Sequence, residues 1–194
     1  MDTTTLSQLL TVNCKRVKEE KNWTSASRIV GEAVEDCVIT LPCPICSVVA
    51  LKKYQANQKS KDAACENCGG QFQIKATQSK ATQSKATQSK PKALRKSKPV
   101  KPVKPVKPVT HLKLLGAEYN TTRASIRENN VHYIVFMYSF TGETYTINDV
   151  LFIDRVHINE SCIVPRNPLS SKARRAGWIG CTLVFGTFIS LIQF

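Results

Sequence analysis

"SKDAACENCGGQFQIKAT", residues 60–77, carries a Cys-x-x-Cys pair between an aspartate and a segment of alternating polar and apolar residues that contains a lysine. The short distance between the two arms predicts a tight hairpin whose turn is the cysteine pair Cys65–Cys68. With that turn, Asp62 on the first arm faces Gln73 on the second. The stretch therefore predicts both a piece of antiparallel sheet and its register.

The same hairpin gathers polar side chains on one surface. Because alternate residues of a strand share a face, Gln73 and Lys75 point one way, whereas Phe72 and Ile74 point the other. Asp62, Gln73 and Lys75 therefore converge. A slip of one residue would turn every side chain to the wrong face, so we expect the cysteine turn to hold the register.

A second cysteine pair precedes the hairpin. Cys43-Pro-Ile-Cys46 and Cys65-Glu-Asn-Cys68 together read C-x2-C-x18-C-x2-C, which is typical of a zinc ribbon with four thiolate ligands. Such a closed tetrahedron has no open position for a substrate, so the predicted Zn²⁺ is structural. Two disulfides or a set without metal remain the alternatives. The other four cysteines lack this spacing and are predicted to be buried free thiols: Cys14, Cys37, Cys162 and Cys181.

The converging polar residues suggest metal-assisted chemistry. An aspartate with a second oxygen ligand can hold Mg²⁺, and a lysine nearby can assist an attacking water. The spacing of Asp62, Gln73 and Lys75 fits the Asp…(Glu/Gln)-x-Lys core of restriction-type nucleases. The alternative is that all three are merely exposed residues of the ribbon.

Charge is concentrated in one segment. The chain of 194 residues has a formal net charge of +14, and residues 76–110 contribute nine lysines and one arginine without any acidic residue. This segment repeats ATQSK three times and KPV four times, periods too short for a solenoid and typical of an extended, disordered insert. Such a basic strip favours contact with nucleic acid or an anionic surface. A solvated insert without a partner is the alternative.

Local patterns predict the remaining elements. Helices are expected around 6–17, after a cap at Ser25 or Ser27, and over 118–130 with Asn120 or Thr121 as cap. A hairpin is expected from strands at 131–140 and 144–158. The N-terminus lacks the apolar run of a signal peptide, which predicts a reducing, cytoplasmic location.

Three motifs in order, "LPCPICSVVAL…SKDAACENCGGQFQIKAT", "LGAEYNTTRASI" and "RNPLSSKARRAGWIGC", resemble those of the DpnI-like, Dam-replacing family of restriction endonucleases. The resemblance covers residues 25–75 and 111–181. It implies a PD-(D/E)xK nuclease domain that cuts DNA at or near GATC, in one branch only when the adenine is methylated. It assigns catalysis to Asp62, Gln73 and Lys75, Mg²⁺ to Asp62, Gln73 and Ile74, and structural Zn²⁺ to the four paired cysteines.

The chain departs from the family pattern in three places. Gln73 stands where the family usually has glutamate, so one charge that attracts Mg²⁺ is missing. The basic repeats lengthen a connection that relatives keep short. After "GWIGC" the sequence ends in an apolar tail, where relatives continue into a winged-helix domain. Residues 176–194 carry no charge, and we expect a final strand or a truncated end there, with a membrane anchor as the alternative.

Basic residues near the third motif are candidates for DNA contact. Lys172, Arg174 and Arg175 could hold phosphates. For Trp178 the residue type favours a place in the core over stacking on DNA. The three histidines have no partners at ligand spacing, so no metal or catalytic role is predicted for them.

We therefore expect an α/β fold of restriction-endonuclease type: a mixed sheet with flanking helices, an embedded zinc ribbon and a disordered basic insert. The predicted divisions are 1–75 and 111–181 for the two halves of the nuclease domain, 76–110 for the insert and 182–194 for the tail. The predicted function is Mg²⁺-dependent cleavage of double-stranded DNA, without a small-molecule substrate and without a membrane. A catalytically weakened zinc-containing DNA-binding remnant is the alternative, and a basic protein anchored to a membrane surface by its tail is a third.

Overall fold

A computed structural model describes residues 2–54, 61–79, 111–128, 130–168 and 171–192. Most of the predicted insert, residues 80–110, lies outside the described residues, so its disorder stays a prediction. The strand that leads into it continues to Gln78. The first three residues assigned to the insert from the sequence thus belong to the sheet.

Two amphipathic helices begin the chain. Helix α1 spans Thr3–Lys21, and its first turn is capped by Asp2, whose Oδ1 accepts a hydrogen bond from Thr5 N at 2.7 Å. Helix α2 spans Ala26–Val38 and begins after Ser25, as predicted, although the Ser25 side chain makes no capping hydrogen bond. Both helices bury residues at helical spacing: Leu6, Leu10, Cys14 and Val17 on α1, and Ile29, Val30, Ala33, Val34, Cys37 and Val38 on α2.

Nine strands form two sheets among the described residues. The larger sheet has the order β1-β2-β3-β5-β6-β9, with strands Leu51–Lys53, Ala63–Cys65, Gln71–Gln78, His132–Thr141, Thr144–Ile153 and Ile189–Ser190. It is mixed, because β3 and β5 are parallel whereas the other pairs are antiparallel. The smaller sheet is antiparallel with the order β4-β8-β7, and its strands are Leu112–Glu118, Gly180–Phe185 and Ile163–Arg166.

The parallel pair requires a crossover, because parallel neighbours cannot be joined by a tight turn. The described part of that crossover contains β4 and helix α3, Tyr119–Glu128. The residue that caps α3 is Glu118, whose Oε2 accepts from Thr121 N at 2.7 Å. The predicted caps, Asn120 and Thr121, are therefore wrong: both lie inside the helix.

The large sheet is covered on both faces. Along β5, Ile134 and Phe136 join the core beneath α1 and α2, while Tyr133 and Val135 join a second core against the small sheet. Residues on both faces are buried, which explains why β5 reads as an almost continuous apolar run. The predicted α/β class with a mixed sheet and flanking helices is confirmed.

The apolar tail forms strands. Residues 180–185 make β8, the middle strand of the small sheet, and residues 189–190 make β9 at the edge of the large one. Within the described residues, no helix is long and apolar enough to cross a membrane. The strand expected from the β-branched composition of this segment is therefore confirmed.

The close approach of β4 and β8 depends on Gly116. A Cβ built on this residue would overlap Sγ of Cys181, which is fully buried on β8. We expect Gly116→Ala to destabilise the fold by about 1–3 kcal/mol, because the strands would have to move apart. Gly31→Ala is the matched control: its Cβ meets open space on α2, and the fold should gain about 0.5–1 kcal/mol. Chemical denaturation measures both, and equal effects would contradict this account.

Candidate functional site

The two cysteine pairs adopt the same turn. Ser47 N donates to the carbonyl of Cys43 at 2.8 Å, and Gly69 N donates to the carbonyl of Cys65 at 2.9 Å. Each of these donors has a positive φ, 60° at Ser47 and 71° at Gly69. The repeated geometry turns both thiols of each pair toward one point.

The four thiols meet with the spacing that a metal needs. The Sγ atoms of Cys43 and Cys68 are 3.7 Å apart, and those of Cys46 and Cys65 are 3.6 Å apart. All four lie within 4.8 Å of one another. Tetrahedral zinc with Zn–S bonds of about 2.3 Å separates its sulfurs by roughly 3.8 Å, whereas a disulfide requires about 2.05 Å. The residues present therefore fit Zn²⁺, and the four cysteines are free thiols.

The surroundings of the thiols affect their ionisation unequally. Hydrogen bonding from the Asn67 side chain, with help from the backbone of Val48, lowers the pKa of Cys46. Burial raises the pKa of Cys43. Since the thiolate is the form that binds metal, Cys46 is the more readily ionised ligand of these two.

The ribbon has the predicted register. Ala63 is paired with Phe72 and Ala64 with Gln71, which continues to Asp62 opposite Gln73. The hairpin is closed next to the four-cysteine cluster, where Cys65 N donates to the carbonyl of Gly70 at 2.8 Å. The cysteine turn and the strand register are thus parts of one hydrogen-bonded unit.

Asp62 receives two hydrogen bonds from the facing strand. Gln73 Nε2 and Ile74 N both donate to Asp62 Oδ2, at 2.8 and 2.7 Å. Gln73 is buried, with 9% of its surface exposed. The pair of donors fixes the direction of the carboxylate, and each of them is supplied by β3.

Lys75 lies two residues further along β3 and is partly buried. Burial lowers the pKa of Lys75, while the negative charges of Asp62 and Glu35 act in the opposite direction. Tyr133, which is paired with Gln73 on the neighbouring strand, has its pKa raised to about 12, chiefly by burial and then by Asp62. Asp62, Gln73 and Lys75 are therefore brought together in partly desolvated surroundings.

Glu35 is a member of this neighbourhood that sequence reasoning missed. Burial, and then the charge of Asp62, raise the pKa of Glu35 to about 7, although Lys53 opposes the shift. Glu35 Oε2 is 3.3 Å from Lys53 Nζ. Its place on α2 was visible in the sequence, and so were the strands of the hairpin, but the packing of α2 on those strands was not.

The basic candidates lie in another part of the fold. Lys172, Arg174 and Arg175 are exposed on the short helix α4, Ser171–Arg175. Trp178 follows this helix and is 60% exposed, so the expectation that it belongs to the core is wrong. Trp178 directly follows Gly177, which has φ 71° and lies in the turn between α4 and β8.

Trp178 borders a pocket of about 470 Å³ whose other lining residues are Pro165, Arg166, Asn167, Pro168 and Ile179. Arg166 holds this region together through backbone carbonyls: Nε donates to Cys181 O at 2.9 Å, and Nη1 donates to Asn167 O at 2.8 Å. The surface therefore combines cationic and aromatic groups, the combination that favours contact with a nucleic acid.

Two of the remaining sequence expectations concern side chains outside these clusters, the cysteines outside the two Cys-x-x-Cys pairs and the histidines. Cys14, Cys37, Cys162 and Cys181 are buried thiols that form no disulfide among the described residues, as predicted. His132 is also buried, between the rings of Phe72 and Phe152, and its Nδ1 accepts from Arg155 N at 3.2 Å. Burial lowers the pKa of His132, which favours the neutral imidazole that this hydrogen bond requires.

Fold and site together define a mixed α/β protein with a four-cysteine cluster built into the hairpin that carries Asp62, Gln73 and Lys75. The model of the DpnI family, the Dam-replacing family, matches residues 9–97 and 103–189. The chain belongs to this family, and the resemblance read from its motifs is confirmed. Membership suggests a restriction-type nuclease, whose substrate is DNA.

Proposed function

We propose that this protein is a Mg²⁺-dependent endonuclease that hydrolyses phosphodiester bonds of double-stranded DNA in a restriction-modification system. One observation carries the proposal: in a member of this family, the ribbon brings Asp62, Gln73 and Lys75 together. Cleavage at or near GATC, with dependence on adenine methylation, follows from the family resemblance. Such an enzyme works in the cytoplasm, where the DNA is.

The proposed metal residues are Asp62 and Gln73, with Ile74 orienting the first of them. Among the described residues, Gln73 and Ile74 both donate their hydrogen bonds to Oδ2 of Asp62. The other oxygen, Oδ1, is therefore proposed as the metal ligand. Gln73 would bind through its amide oxygen, a ligand type that Mg²⁺ accepts less readily than a carboxylate. When bound, Mg²⁺ would stabilise negative charge on the phosphate oxygens and on the leaving group.

Lys75 is proposed to hold the attacking water and to assist its deprotonation. Burial lowers the pKa of Lys75, which brings the neutral amine closer to working pH, and efficient proton transfer requires this. While protonated, the same group would attract the phosphate.

DNA affinity is proposed to come from exposed cations. Lys172, Arg174 and Arg175 would contact phosphates beside Trp178, and the lysines of residues 76–110 would add affinity that depends on salt and not on sequence. The proposed role of Zn²⁺ is structural, since all four of its positions are taken by thiolates.

A specific observation keeps a second candidate in view. In the structure Gln73 donates its amide N–H to Asp62, so the site has a single carboxylate within this trio. A chain whose second acidic residue had been lost could retain its fold and bind DNA without cutting it.

The deciding experiment is cleavage of adenine-methylated and unmethylated plasmid, with Mg²⁺ or Mn²⁺, by the wild type and by Asp62→Asn. Asparagine keeps an oxygen acceptor for Gln73 and Ile74 but removes the charge, so we expect cleavage to fall by about 10² or more. Glu143→Gln, an exposed change in the β5–β6 turn, is the charge-matched control and should cut normally.

The nuclease proposal is supported if the wild type cuts either plasmid and Asp62→Asn does not. The plasmid that is cut then shows the methyl preference. If the zinc-loaded wild type shifts DNA in a gel and cuts neither plasmid, the binding remnant is the correct account.

A further inference from the structure

Tyr133 lies beside the Asp62–Gln73–Lys75 trio on the same face of the large sheet. In the parallel pair of β3 and β5, Tyr133 is opposite Gln73, and Val135 is opposite Lys75. Residues opposite each other in a ladder share a face, and neighbouring strands are about 4.8 Å apart. Gln73 in turn donates to Asp62 Oδ2 at 2.8 Å. The Tyr133 side chain therefore borders the site through a direct strand neighbour.

The Tyr133 hydroxyl is a polar group at the end of an otherwise buried side chain. Only 4% of the residue is exposed, and the hydroxyl makes no hydrogen bond to any residue that the structure describes. Every fully buried side-chain nitrogen or oxygen in that part of the chain does have a partner. The hydroxyl therefore belongs to the small part of Tyr133 that solvent reaches.

The opening to this hydroxyl lies on the β3 side. On the opposite side, Tyr133 is paired with Ile153 of β6, which is 0% exposed. Along β5, Val135 is also fully buried, and the small sheet covers the ring through Phe185, with ring centres 5.6 Å apart. The remaining neighbour across the sheet is Gln73, so the hydroxyl opens toward the site.

A phenol hydroxyl in this place can recognise a phosphate. Burial raises the pKa of Tyr133 to about 12, so the group keeps its proton at neutral pH and donates a hydrogen bond. Hydrogen bonds from a hydroxyl to an anionic oxygen are short and stronger than those between neutral groups. A donor held in a fixed direction, in a place that water reaches poorly, stabilises the charge that develops on the reacting group.

We propose that Tyr133 is a further catalytic residue of this site, whose hydroxyl donates a hydrogen bond to a non-bridging oxygen of the DNA phosphate that lies against Asp62 and Lys75. The inference rests on the proposed nuclease function and deepens it. The hydroxyl has no partner among the described residues, and the phosphate would supply one.

The test is steady-state cleavage of plasmid, with Mg²⁺, by the wild type and by Tyr133→Phe. Phenylalanine keeps the ring contact with Phe185 and removes only the hydroxyl, so we expect kcat to fall by about 10–100-fold. KM should stay within about twofold, because the lost interaction strengthens in the transition state. The midpoint of thermal unfolding should stay the same or rise, since a hydroxyl without a protein partner leaves a mostly buried place.

Tyr138→Phe is the matched control. It removes the same group from the same strand, but Tyr138 packs against the core beneath α1 and α2, on the face away from the trio. This variant should cut at the wild-type rate.

Two outcomes would overturn the inference and leave the nuclease standing. The first is a wild-type kcat in Tyr133→Phe. The second is a fall in kcat that is matched by a fall in the unfolding midpoint, because the hydroxyl would then support the fold.

A binding measurement covers the case in which the wild type cuts neither plasmid. The zinc-loaded full chain is labelled with 3-fluorotyrosine, and Tyr133→Phe identifies the Tyr133 resonance in the ¹⁹F spectrum. Short duplexes that contain GATC, with and without adenine methylation, are then added. A Tyr133 resonance that moves while that of Tyr138 stays in place would support the contact with DNA and refute hydrolysis alone. Without such a shift, the inference and the proposed function would both be wrong.

Discussion

Removal of the zinc proposed for the four-cysteine cluster is expected to unfold the ribbon and to abolish the proposed activity of the protein. Cys65→Ser removes one of the four proposed zinc ligands. Cys65 lies at the end of β2, and only 1% of its surface is exposed. Structural zinc contributes apparent binding free energies of about 10–16 kcal/mol in small domains, which exceeds the stability of most folds. We therefore expect loss of bound zinc and a large fall in the midpoint of thermal unfolding.

The reason lies in what the cluster joins. One cysteine pair follows α2, and the other closes the hairpin that positions Asp62. Without the metal, four thiols would remain close together with no bonds between them, and the short strands β1 and β2, three residues each, could not hold their register alone. A dye that reports zinc released by a thiol reagent, combined with circular dichroism, measures both effects.

Cys162→Ser is the control for the loss of a buried thiol. Cys162 is buried, and its Sγ donates to the carbonyl of His157 at 3.3 Å, a bond that serine can replace. It should keep its zinc and lose about 1–2 kcal/mol at most. If Cys65→Ser unfolded at the same temperature as Cys162→Ser, the structural role assigned to the cluster would be wrong.

Lys75→Met is expected to give a protein that is more stable than the wild type and, on the proposed function, inactive. Methionine has a similar length but no proton to transfer and no charge to offer the phosphate. Loss of a positioned acid–base group lowers the rate by about 10²–10⁴. Steady-state cleavage of plasmid, at saturating DNA, measures this loss.

The stability gain follows from linkage. Burial lowers the pKa of Lys75 in the folded protein below its value in the unfolded chain, near 10.4. Between these two values the unfolded chain binds more protons than the folded one, so stability rises with pH across that window. Below the window the full cost of a buried ammonium is present, and Lys75→Met removes it. The midpoint of unfolding should therefore rise at pH 7, and the advantage should shrink toward pH 10.

Lys113→Met serves as the control, because Lys113 is exposed on β4. It should cut DNA normally and unfold near the wild-type temperature. Inactivity of Lys75→Met together with a fall in its unfolding temperature would mean that Lys75 supports the fold, and its proposed catalytic role would lose its main support.

The hairpin could be predicted from its residues because its information is local. A two-residue period and a short turn are enough to place Asp62 opposite Gln73. The helices could be predicted for the same reason, since apolar residues recur at three- and four-residue intervals. The end of β3 could not be predicted, because residues 76–78 belong to the first ATQSK repeat and resemble the repeats that follow. Their pairing with β5 makes them part of the strand.

Side chains that meet across long separations escaped prediction. Glu35 lies on a charged face of α2, and Lys53 lies on the three-residue strand β1. Their ion pair forms only because α2 packs on the sheet. Trp178 was expected inside because of its residue type, yet it is 60% exposed between α4 and β8. In these cases the sequence contains the residues but not the contact between their elements.

By itself, the sequence determined the cysteine spacing, the hairpin register and the helices, because each depends on residues that are close along the chain. The tertiary structure alone decided that Glu35 on α2 pairs with Lys53 on β1 and that a second sheet covers the far side of β5. Those arrangements depend on which faces are buried against each other, and burial belongs to the whole fold, in which elements separated by many residues share one core.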